Sequence, residues 1–254
     1  MKKENLFLSS IDPNAGTTAR KYELGVEIAD YCTAMNMDAL LSETKPRVDA
    51  QVRGIPQTVF HGPFNELFPC AIDPLARELA QKRFLQAATL AQHYGSEKLV
   101  FHGGYLPHVY YSCWYVEQSI LFWKELLQKL PGTQVLCVEN VLESEPQWLA
   151  DIAAGVNDPR FRLCLDVGHA HVCSQIPVEQ WLDAFAPWIG HFHIHNNDRS
   201  FDTHSPLDQG TIPMKEFLLC AQALCPQASF TLEVMDAEQN VRWLAAQNLL
   251  EEDL

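Results

Sequence analysis

The sequence predicts an α/β protein, a (β/α)8 TIM barrel in a single domain over residues 1–254. Three observations lead there. The length, 254 residues, suits one closed barrel, a fold that commonly uses about 250. Short apolar runs alternate with longer helical stretches, and no domain-scale linker interrupts them. Imidazoles and carboxylates recur at the C-terminal ends of the apolar runs, where barrels of this kind gather their sites.

The runs are "NLFLSS" (5–10), "LGVEI" (24–28), "QTVFH" (57–61), "KLVFH" (98–102), "QVLCVE" (134–139), "FRLCLD" (161–166), "GHFHIH" (190–195) and "SFTLEV" (229–234). The clearest helices between them are 73–94, 114–130 and 213–224. The first opens on Asp73-Pro74, a pair suited to an N-cap and first turn. The stretch 31–55 gives no clean period. A doubly wound open sheet is the alternative arrangement, but no glycine-rich phosphate loop follows the first run.

Apolar residues make up 47% of the chain, enough for a sizeable core. No segment approaches the roughly 20 apolar residues of a membrane span. The opening "MKKENLFLSS" lacks the longer apolar region of a signal peptide and reads as a first strand. None of the 8 cysteines forms a C-x-x-C pair, and several fall inside apolar runs. They read as reduced core thiols of a cytoplasmic protein. The net charge is −14, from 32 acidic and 18 scattered basic residues. That balance disfavours a nucleic-acid partner. It leaves a small phosphorylated substrate open, because bound metal ions change the local sign.

The polar residues at the strand ends carry the chemistry. His61, His102 and Glu139 end the third, fourth and fifth runs. Asp166 ends the sixth, with His169 three residues on; His195 and Glu233 lie at the ends of the seventh and eighth. The stretch "HFHIHNNDRSFDTHSPLDQG" (191–210) then adds Asp202 and His204. His191, His193 and His195 share one face by alternation. His195 is nearest the mouth and is the expected ligand; His191 and His193 read as groups that fill the barrel or support a ligand from behind. His171 has no assigned role. Nine candidates result: His61, His102, Glu139, Asp166, His169, His195, Asp202, His204 and Glu233. One divalent ion takes about four to six ligands, and a catalytic ion keeps a position open. Nine therefore predicts two or three divalent ions sharing a carboxylate, zinc first, with manganese, cobalt or magnesium as alternatives.

The motifs "VFHGPF", "VFHGG", "VEN", "CLDVGHAH", "HNNDRSFDTHSPLDQGTI" and "TLEV" together resemble those of the xylose-isomerase-like barrel superfamily, which includes endonuclease IV and sugar phosphate isomerases and epimerases. The endonuclease IV pattern implies a first zinc held by His61, His102 and Glu139. Glu139 would bridge to a second, held also by Asp166, His195 and Glu233; His169, Asp202 and His204 would hold a third. The smaller ketose-epimerase set implies one ion on Glu139, Asp166, a seventh-strand histidine and Glu233, with His169 touching substrate. Phe64 and Arg199 are the other substrate-contact candidates. The departures are Gly103-Gly104 where endonuclease IV has Pro-Gly, no basic aromatic-bearing wedge for a duplex, and Arg199 as the nearest counterpart of the epimerases' arginine.

Three functions follow as expectations. The first is a metal-dependent isomerase or epimerase of a small polyol, sugar or sugar phosphate, with Glu139 and Glu233 removing and returning a proton beside a carbonyl. The second is a multi-zinc phosphoester hydrolase. The third is a binder of metal or sugar without turnover.

Overall fold

The structure, a computed structural model, describes residues 1–130 and 132–251. Its strands are β1 (Leu6–Ser9), β2 (Gly25–Ile28), β3 (Thr58–His61), β4 (Lys98–His102), β5 (Val135–Glu139), β6 (Phe161–Asp166), β7 (Ile189–Ile194) and β8 (Ser229–Leu232). All pair in parallel with their sequence neighbours, and β1 pairs with β8 to close the barrel. The expected fold is therefore the observed one. His195 and Glu233 fall one residue beyond β7 and β8, so both leave the ladder at the mouth.

Alternation along each strand divides the core in two. Leu99, Phe101, Leu136, Val138, Leu163, Leu165, Phe192 and Ile194 point outward into the large apolar layer beneath the helices. Phe7, Val59, Val100, Cys137 and Cys164 face inward as a small separate apolar cluster. The rest of the barrel interior is polar. Ser9, Glu27, His61, Glu139, Asp166, His191, His193, Ser229 and Thr231 are all buried there. Barrel interiors are ordinarily filled by branched apolar side chains, so this filling needs an explanation from chemistry.

The helical ring includes α1 (Ala15–Tyr22), α2 (Ala34–Met37), α3 (Leu41–Gln51), α4 (Pro74–His93), α5 (Ser112–Lys129), α6 (Pro146–Val156), α7 (Val167–Cys173), α8 (Val178–Phe185), α9 (Met214–Leu224) and α10 (Ala237–Ala246). The Asp73 carboxylate accepts from Leu75 N at 2.8 Å and caps α4, with Pro74 in the first turn. Such a cap contributes about 1 kcal/mol. The stretch that gave no clean period resolves into α2 and α3, and Pro46 lies inside α3. Phe84 of α4 stacks on Phe101 of β4 at 4.3 Å and on Trp123 of α5 at 5.7 Å. This aromatic contact fixes the strand that ends in His102. Among the described residues, no helix is long and apolar enough to cross a membrane.

Candidate metal centre at the barrel mouth

The nine strand-end and loop residues singled out in the sequence converge on one end of the barrel. Glu139 is the hub. Its Oε2 lies 3.3 Å from His61 Nε2 and 3.5 Å from His102 Nε2. Its Oε1 lies 3.1 Å from His169 Nδ1 and 3.4 Å from His193 Nδ1. His193 Nδ1 is also 3.2 Å from Glu233 Oε2 and 3.7 Å from Asp166 Oδ2. Asp166 contacts His195 Nε2 at 3.1 Å and caps α7 by accepting from His169 N at 2.7 Å.

The long loop after β7 completes the mouth. Asn196 and Ser205 exchange two backbone hydrogen bonds of 2.9 Å, an isolated antiparallel bridge that returns the chain over the barrel. The Asn196 side chain donates to Leu207 O at 2.9 Å and Ile212 O at 3.1 Å. Asn197 donates to Gly168 O at 3.0 Å, tying the loop to α7. Gly210 has to be glycine, since a Cβ there would lie 2.2 Å from Asn196 Oδ1. The asparagines and glycine of the motif thus build the loop that delivers Asp202 and His204. Asp202 Oδ2 sits 3.2 Å from His169 Nε2 and 3.1 Å from His204 Nε2.

The orientation of the imidazoles is informative. His61 Nδ1 lies 2.9 Å from Gly62 O, His169 Nδ1 3.1 Å from Asn140 O, and His204 Nδ1 2.9 Å from Glu233 O. A carbonyl only accepts, so each Nδ1 carries the proton and each Nε2 faces a carboxylate. This is how ligating histidines are held.

Two of the compact donor sets stand out as places for a cation: Glu139–Asp166–His193–Glu233, all buried, and His169–Asp202–His204. In each, the donor atoms lie within 4.8 Å of one another. The buried Glu139 Oε1 and Oε2, Glu233 Oε2, Asp202 Oδ1, His193 Nδ1 and His195 Nδ1 all lack a hydrogen bond. Buried polar atoms are rarely left so, and here they share one small volume. The mixture of imidazole and carboxylate suits zinc and similar divalent ions. The residues present therefore fit a divalent metal.

The electrostatics agree. Burial raises the Glu139 carboxyl, but the His193 imidazole and the contacts of His169 and His193 overcome it and hold Glu139 well below the usual range. Glu233 is buried too, yet His193 brings it down to about 2. Burial works against protonation of His204, but Asp202 lifts it to about 9. Burial pushes His102 down to about 3, which leaves a neutral ring. The carboxylates thus stay ionised, with His169, His193 and His204 raised above the ordinary imidazole range as their partners; a divalent cation would supply that positive charge in their place.

Geometry gives His193 a place that the sequence reading gave to His195. His193 Nδ1 lies among Glu139, Asp166 and Glu233, while His195 leans on Asp166 beside it. His191 fills the barrel below. Phe64 stacks on His102, with centroids 4.2 Å apart and planes at 7°, and so backs this imidazole. Arg199 is exposed and donates to Ser174 O at 2.8 Å, beyond the end of α7, so nothing ties it to the carboxylates. His171 bonds Thr211 Oγ1 at 2.8 Å and belongs to neither donor set. Glu27 was not among the candidates. The available signal was an acid facing inward from the apolar run "LGVEI".

A closed parallel barrel with buried histidines and carboxylates at its C-terminal mouth defines a TIM-barrel protein with a metal-site-like centre. The chain belongs to the xylose isomerase-like TIM barrel family, whose sequence profile matches residues 23–251. An uncharacterized protein of Methanocaldococcus jannaschii is 24% identical over 221 residues, 83% of this chain and 73% of its own. Among solved structures, a D-tagatose 3-epimerase-like protein superposes with a TM-score of 0.76 at 18% identity, covering 96% of this chain and 97% of that one. The TTHB071 protein from Thermus thermophilus, soaked with ZnCl2, gives 0.74 at 23% identity, with the same coverage. At these identities the structural likeness is one of fold.

Proposed function

We propose that the protein is a divalent-metal-dependent isomerase or epimerase of a small polyol, sugar or sugar phosphate, acting by proton transfer next to a carbonyl. The observation that carries this reading is the pair Glu139 and Glu233. They come from β5 and from the end of β8, and both reach His193 Nδ1, at 3.4 and 3.2 Å. Both oxygens of Glu139 and Oε2 of Glu233 make no hydrogen bond. Glu139, Asp166, His193 and Glu233 would hold one ion, and His169, Asp202 and His204 a second; His61, His102 and His195 border them. A bound divalent ion supplies polarisation of a carbonyl and its neighbouring hydroxyl.

The chain's own residues do the rest. A carboxylate oxygen of Glu139 or Glu233 not engaged by the ion would take the proton from carbon, and the other glutamate, after taking a proton from solvent, would return it to the opposite face. With a single ion bound, His169, its Nδ1 on the Asn140 carbonyl, would turn Nε2 to a substrate hydroxyl. Phe64 offers an apolar wall beside His102. The fold shared with a D-tagatose 3-epimerase-like protein supports a ketose as substrate.

The test is solvent exchange. Protein, metal and a panel of ketoses and ketose phosphates are incubated in deuterated water. Deuterium enters the carbon beside the carbonyl, and Glu139→Gln or Glu233→Gln each blocks it. Phosphoester hydrolysis is the second reading, favoured by the separate His169–Asp202–His204 donor set. Metal-dependent phosphate release without any exchange would select it.

A further inference from the structure

The polar interior below the mouth forms one directed chain of hydrogen bonds. Lys98 Nζ lies 3.0 Å from Gly190 O and 2.7 Å from Ser229 Oγ. Ser229 Oγ lies 2.6 Å from His191 Nδ1. His191 Nε2 lies 3.0 Å from Glu27 Oε2, and the Thr231 hydroxyl donates to the same oxygen. His193 Nε2 lies 2.9 Å from Glu27 Oε1.

The chemistry of the groups fixes the direction. An ammonium only donates, so Ser229 accepts from Lys98; an ionised Glu27 only accepts, so a neutral His191 gives it Nε2–H and takes the Ser229 proton, the shorter of that hydroxyl's two options, on Nδ1. Glu27 accepts from His191, Thr231 and His193 and donates to none, as an ionised carboxylate must. His193 therefore carries its proton on Nε2. That leaves Nδ1, which faces Glu139, Asp166 and Glu233 and makes no hydrogen bond, as the nitrogen free to meet a cation.

We infer that Glu27 is the positioning residue of the centre, locking His193 so that Nδ1 is the donor offered to a divalent cation. This rests on the reading that the mouth binds such an ion. His61 and His204 are each held through Nδ1 by a neutral backbone carbonyl. His193 is held by a buried carboxylate instead, which both orients the ring and strengthens its donor nitrogen. A barrel that needed only filling would use apolar side chains at this level. Glu27 reaches no substrate: it is buried on β2, with His193 between it and the mouth.

The test measures zinc affinity by competition with a chromophoric chelator for the wild type, Glu27→Gln, Glu27→Ala and Asp202→Ala. The tightness of the zinc that survives Asp202→Ala is expected to fall about 10–100-fold in Glu27→Ala, with Glu27→Gln between it and the wild type. The zinc that Asp202→Ala removes should be unchanged in both Glu27 variants. Equal loss of both zinc classes, or loss of neither, overturns the inference. A wild type that binds no zinc overturns the underlying reading instead. Should the Glu27 variants not fold, wild-type protein labelled with 15N-histidine decides. In the zinc-loaded protein the inference requires a proton on His193 Nε2 and a zinc-shifted Nδ1; a zinc-shifted Nε2, or a proton kept on Nδ1 in the loaded protein, overturns it.

Discussion

Gly168 and His195 are in contact: a Cβ built on Gly168 would lie 1.9 Å from His195 Cε1. Position 168 must be bare for the imidazole to stay against Asp166, 3.1 Å away. Gly168→Ala is expected to destabilise by about 1–3 kcal/mol through overpacking and to lower zinc occupancy by displacing His195 and Asp166. Thermal unfolding and metal content of the purified variant check both. Unchanged values would show that the imidazole can move aside.

Asp202 and His204 ride on one loop and share one donor set with His169. The double variant Asp202→Ala, His204→Ala is expected to lose one class of ion and keep another. Elemental analysis after dialysis against zinc reads the stoichiometry. Loss of all metal, or of none, would contradict separate sites.

Binding to the folded state alone stabilises it by mass action. With free zinc at a hundred times its dissociation constant the gain is about 2.7 kcal/mol per site. A chelator should therefore lower the melting temperature and abolish proton exchange, and added zinc should restore both. A melting curve indifferent to chelation would count against a metal centre.

Glu143 provides a pH test outside the donor sets. It is buried and accepts from the Tyr115 hydroxyl at 2.5 Å and from Val141 N at 2.7 Å. Burial raises its carboxyl above the ordinary 4.5, against the lowering effect of Tyr115. In the window from 4.5 up to the raised value, the folded state holds more protons than the unfolded, so this group's contribution to stability falls as pH rises. The stability difference between wild type and Glu143→Gln should drift in that sense across weakly acidic pH. A difference that grows with pH would show the opposite shift.

The barrel was legible because an inward face at every second residue and a polar residue at each strand end leave a plain trace in the sequence. The donors at the mouth were legible for the same reason. Pro46 hid α3, because a proline inside a helix reads as a break. The depth of His193 was hidden because period two says which face a histidine takes and not which level of the barrel it fills. Glu27 looked like an isolated acid in an apolar strand. Its meaning lies in partners from β7 and β8, His191, His193 and Thr231, more than 160 residues away. Arg199 was placed by its nearness to the motif, but its left-handed backbone, φ 73°, lies on the outer part of the loop, where it bonds Ser174.

The most direct measurement is anomalous diffraction at the zinc edge from crystals of the zinc-loaded protein. The account predicts a peak bounded by Glu139, Asp166, His193 and Glu233, with His193 Nδ1 as the nearest nitrogen, and a second beside His169, Asp202 and His204. A mouth without any peak, or zinc bound only at surface residues, would contradict it.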